Sequence, residues 1–78
     1  MNAQEIEARL RQLDFHIASV SEIEHGWQIR LGCGAVINVY DNGAVLVTGK
    51  WHPECQEDSQ TMLKRALPRQ TRWCMKSA

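Results

Sequence analysis

Hydrophobic and polar positions change period twice along this chain. From Asn2 to Leu13, the residues Ile6, Leu10 and Leu13 fall at i, i+4 and i+7, which places one apolar stripe on a helix. Asn2 and Glu5 make an N-x-x-E start in which each side chain can satisfy an orphan backbone N–H. Glu5, Glu7, Arg9, Arg11 and Gln12 take the wet side, and Asp14, a poor helix-interior residue, predicts the end. From Phe15 the alternation is broken through Ile17 and on to Glu24, which predicts a strand with a bulge or an irregular start. His25-Gly26 predicts a turn. Trp27 to Leu31 then alternates cleanly, with Trp27, Ile29 and Leu31 on one face and Gln28 and Arg30 on the other. Gly32 and Gly34, flanking Cys33, mark the next turn.

The run from Gly34 to Lys50 is the strongest local signal. Two β-branched segments meet at Asp41-Asn42-Gly43, a hairpin sequence. A two-residue turn sets Ile37 and Val39 beside Thr48 and Leu46; a three-residue turn closed by a glycine bulge sets them beside Val47 and Val45. Only the second register gives an apolar face of Ile37, Val39, Val45 and Val47, so it is the one expected. The opposite face then carries Val36, Asn38, Tyr40, Ala44, Leu46 and Thr48.

A second helix is expected after Trp51-His52. Pro53 suits a first helical turn, and Glu54, Glu57 and Asp58 match its positive end. Cys55, Ser59, Met62, Leu63, Ala66 and Leu67 form its apolar stripe, Lys64 and Arg65 match its far end, and Pro68 stops it. Residues 69–78 are expected to be a partly loose tail, with Trp73 either docked or held for a partner. The fold class that follows is α+β: one two-layer domain over residues 1–78. A four-stranded antiparallel meander is backed on one face by two helices, in the order helix, four strands, helix. Trp27 is expected in the core and Trp51 at the junction of sheet and second helix.

Composition narrows the picture. At 78 residues a single core is only just sufficient, and 44% hydrophobic with 23% charged residues excludes wholesale disorder. Nine basic and nine acidic residues cancel, so no overall field draws the chain to nucleic acid and any such binding rests on local placement. Cys33, Cys55 and Cys74 lack paired spacing and no signal-peptide pattern precedes them, so a reduced, soluble, cytosolic domain of bacterial size with no membrane partner is expected.

The order helix, antiparallel meander, helix resembles one repeat of the TATA-box-binding-protein-like fold. The hairpin residues Asn38-Val39-Tyr40-Asp41-Asn42-Gly43 and Val45-Leu46-Val47-Thr48-Gly49-Lys50 are similar to those of the N-terminal TBP-like domain of ribonuclease HIII. The resemblance implies nucleic acid on the open sheet face, through Gln28, Arg30, Asn38, Tyr40, Thr48 and Lys50. Two departures are present: Thr48 stands where that motif usually has Gln, and no catalytic domain follows.

The residues support the same surface on chemical grounds. Tyr40 offers a stacking ring, Arg30 and Lys50 meet phosphates, and Gln28, Asn38 and Thr48 offer polar edges. An ordinary wet sheet face is the plainer reading. A protein-interaction module or homodimer, using Leu46 on this face or the Trp73 tail, is the alternative, and a small nucleotide on the same face a third. The basic residues Lys64, Arg65, Arg69, Arg72 and Lys76 fit either a phosphate-touching tail or plain surface solubility.

No cofactor, metal or catalytic group is expected. His52 and Cys55 form one H-x-x-C pair, with His25 or Cys74 as distant additions, where a structural zinc needs four ligands. Cys33 has no readable base among His16, His25 and His52, and Gly32-Cys33-Gly34 lacks the Lys-Ser/Thr and following helix of a phosphate loop.

Overall fold

The computed structural model describes residues 2–50 and 57–75. It is an α+β fold in which two helices pack on one face of a largely antiparallel sheet. Helix α1 spans Ala3–Gln12, strands β1 to β4 span Ile17–Ile23, Gly26–Leu31, Ala35–Tyr40 and Val45–Gly49, helix α2 spans Glu57–Ala66, and a short β5 spans Arg72–Trp73. The strands lie in the order β1-β2-β3-β4-β5.

Helix α1 begins where its sequence says. The Glu5 N–H donates to Asn2 Oδ1 at 2.9 Å, which satisfies one of the orphan donors of the first turn. At the other end the Asp14 N–H donates to Arg11 O and the Phe15 N–H to Leu10 O, the paired bonds of a Schellman cap. Asp14 takes the left-handed position of that cap, at φ 63. Ile6 and Leu10 are fully buried, and Phe15, just past the cap, packs against the core.

Strands β1 to β4 form the expected meander. The pairing of β1 with β2 slips between Ile17 and Ser19, which is the bulge that the broken alternation announces. The turn before β2 is Glu24-His25, with His25 at φ 64, and Gly26 is already in the strand. The central hairpin adopts the glycine-bulge register: Ile37 lies opposite Val47 and Val39 opposite Val45. Gly43 at φ 89 closes the turn, a conformation open to glycine at no steric cost. The buried core joins Ile6 and Leu10 of α1, Ile29, Leu31, Ala35, Ile37, Val39, Val45 and Val47 of the sheet, and Leu63, Ala66 and Leu67 of the second helix.

Two expectations need correction. The sheet has five strands rather than four, the last formed by residues expected in the tail. The Thr71 N–H donates to Pro68 O, and Arg72–Trp73 then pair in parallel with Leu46 and Val47 as a fifth strand. The Cys74 N–H continues the ladder to Val47 O at 2.7 Å. Trp73 is half-buried against the core, with the Lys64 ammonium 6.0 Å from its ring centroid. The second correction is Trp27. It shares the core face with Val39, its cross-strand partner, yet 41% of it is exposed. Ala3, Gln4 and Glu7 of α1 line the cleft at that corner and leave the indole partly uncovered. The expected roles of Trp51, His52, Pro53, Glu54 and Cys55 lie outside the described residues.

Candidate functional site

The open face of the sheet can now be read row by row. One row runs Ser21, Gln28, Asn38, Leu46, Arg72 across β1 to β5, and the next runs Ser19, Arg30, Val36, Thr48. Gln28 Nε2 donates to Asn38 Oδ1 at 3.0 Å, and Arg30 Nε donates to Gln28 Oε1 at 3.2 Å. These bonds fix a polar ladder across β2 and β3. Asn38 is only 7% exposed at the centre of the face, while the Arg30 end of the ladder is exposed. A buried amide is tolerated here because its oxygen has a donor.

The sequence-predicted residues are thus largely brought together. Gln28, Arg30, Asn38 and Thr48 form one patch, and Lys50 follows β4 at its border. Tyr40 lies apart, opposite Gly26 at the end of β3, and also borders the cleft between α1 and the sheet. Leu46 is half-buried within its row, and Trp73 lies on the helix side of the sheet, opposite Val47. Arg72 is the addition that sequence reasoning missed. Its place on the face depends on a two-residue strand too short to show a period.

Charge on this face has one sign. Arg30 and Arg72 stand on it, exposed Lys50 follows β4 at its border, and none of its described strand positions holds a carboxylate. Among the described residues the acidic positions lie elsewhere: Glu5 and Glu7 on α1 and Asp14 at its end, Glu22 on the other face of β1, Glu24 in the turn after it, Asp41 in the hairpin turn, and Glu57 and Asp58 in α2. A chain with no net charge therefore presents a locally cationic surface.

A second feature lies on the helix side. An open cleft of about 470 Å³ runs between the first turn of α1 and the sheet, with Val20, Trp27, Val39, Tyr40 and Asp41 among its walls. Val20 and Trp27 are its exposed apolar surfaces, at 39% and 41%.

Among the described residues, no group of three His, Cys, Asp or Glu side chains is placed to hold a metal ion, and no helix is long and apolar enough to cross a membrane. No family model matches the chain, no curated protein is recognisably similar to it, and no solved structure matches its fold.

Proposed function

We propose that this chain is a non-catalytic binding module whose open sheet face takes a single strand of nucleic acid. The observation that carries the reading is the one-signed charge of that face: Arg30 and Arg72 stand on it, Lys50 follows at its border, and no described strand position between them holds a carboxylate. Arg30 on β2 and Arg72 on β5 are three strand spacings apart, about 14 Å at the usual sheet geometry, so both can meet one extended backbone. The Gln28–Asn38 ladder holds Arg30 in place through the Gln28 amide oxygen, and Tyr40 at the end of β3 is the one aromatic ring among the described strand positions of this face. A sheet face with exposed cationic groups beside polar ones suits unpaired bases, which expose hydrogen-bonding edges that a duplex hides. The TBP-like resemblance of the hairpin points the same way.

A face-to-face homodimer has less support, because it sets Arg30, Lys50 and Arg72 against their own copies. Leu46 and Trp73 give a protein partner little to grip, since both are already packed.

The test is an amide chemical-shift titration with a mixed-sequence single-stranded oligonucleotide at low and moderate salt. Salt-sensitive shifts at Gln28, Arg30, Asn38, Thr48, Lys50 and Arg72 are expected. With three phosphates engaged, log K should fall against log salt with a slope of about −2. No shifts at either salt would sink the reading.

A further inference from the structure

The exposed apolar side chains Val20 and Trp27 sit beside another unfinished feature, the outer edge of β1. Among the described residues nothing pairs with that edge, because β1 ends the strand order. Unpaired strand edges in monomeric proteins are usually blunted by lysine, proline or a cover. Here the run Ser19 to Glu22 is exposed throughout and contains neither residue. Its one irregularity, the bulge at Ala18, lies at the far end from Trp27.

Charge selects what such an edge accepts. Glu22 is the cross-strand partner of Trp27 and shares its face, so a carboxylate stands between the indole and the free edge. Glu24 and Asp41 flank the same end of the sheet, and the His25 C=O accepts from the Asp41 N–H at 2.7 Å, which ties the two turns together. Arg11 of α1 is held by Glu7 at 2.9 Å. The positive end of α1 is answered in part by Asn2. No lysine or arginine lines the cleft.

We infer that β1 and the adjoining cleft form a docking site for an extended basic segment of a protein partner. The segment adds a strand to the free edge of β1 and lays a lysine or arginine over Trp27 and beside Glu22. Main-chain hydrogen bonds to Val20 and Glu22, whose backbone groups face away from β2, supply the pairing, and the cation gains both the indole face and the carboxylate. A second copy of this chain is a poorer occupant, because its own β1 offers Glu22 no lysine or arginine. This site lies on the side of the sheet away from the cationic face and does not rest on the nucleic-acid reading.

The probe is a five-residue peptide, Thr-Val-Lys-Val-Thr with blocked ends, compared with its counterpart bearing Glu at the centre. The readouts are the Trp27 indole N–H resonance and the β1 amides, recorded on the whole chain. The lysine peptide is expected to shift both and to slow amide exchange along β1, while the glutamate peptide does neither. Glu22→Lys should weaken the lysine peptide about tenfold and admit the glutamate peptide instead, and Trp27→Ala should abolish the response. Both positions are exposed, and an unchanged melting curve verifies that each variant still folds. Equal responses to the two peptides, or none, overturn the proposal. So does movement of the same resonances on raising protein concentration without peptide, which would make a second copy the occupant.

Discussion

Asp14 holds φ 63 at the end of α1, a conformation that costs an ordinary L-residue about 1–2 kcal/mol. The Schellman bonds of Asp14 and Phe15 demand that geometry, and glycine adopts it freely. Asp14→Gly is therefore expected to raise stability by about 0.5–1 kcal/mol, read as a higher urea midpoint at unchanged slope. A lower midpoint would mean that the Asp14 side chain contributes more than the strain removes. Gly26 has the opposite sign. A Cβ there would collide with the carbonyl oxygen of Val39, where β2 and β3 approach most closely. Gly26→Ala is expected to cost about 3 kcal/mol by forcing backbone apart, measured the same way. A loss below about 0.5 kcal/mol, the usual range of surface substitutions, would place the two strands farther apart than described.

The β-hairpin carries its own proof of register. Val39 faces Val45 in the core and is only 3% exposed, so Val39→Asp should abolish the cooperative thermal transition by burying an unpaired carboxylate. A retained cooperative melt would reject the register. That register was legible because one residue of slip exchanges an apolar face for a mixed one, and the sequence contains only one all-apolar solution. The bulge in β1 and both ends of α1 were legible for similar reasons, from broken alternation and capping chemistry. Trp27 was not. Alternation assigns its face, but exposure depends on what lies above it, and the first turn of α1 leaves an open cleft at that corner. Strand β5 was hidden because two residues carry no period and Pro68 reads as a stop. Its weight is nonetheless testable. Trp73→Ala removes a half-buried ring from the core and is expected to cost about 2 kcal/mol, with loss of amide protection at Val47 and Cys74. Full retention of protection at Cys74 would show that the strand holds without its tryptophan.

Across the whole molecule, a net charge of zero conceals a division. The open face is cationic, and the β1 end of the sheet is acidic. Composition alone argues against nucleic acid; the division restores it as the better-supported ligand, and it depends on Arg72, which only the fifth strand brings to the face. Arg72→Gln should therefore flatten the salt dependence of oligonucleotide binding by about 0.7 in the log–log slope while leaving the melting curve unchanged. An unaltered slope would remove Arg72 from the phosphate path. Tyr40→Ala, at the end of β3, should weaken binding by about 1–3 kcal/mol if its ring carries a base, with little change in stability. The parallel strand has a further consequence for the order in which the molecule is made. Helix α1, the four-stranded meander and α2 all leave the ribosome before Arg72 and Trp73. Through that interval the Leu46–Val47 margin of β4 is a bare apolar edge, open to the same margin on a neighbouring nascent chain. A nick by a protease between Leu67 and Thr71 would return the finished domain to that state, leaving nearly all of its core and an adhesive flank.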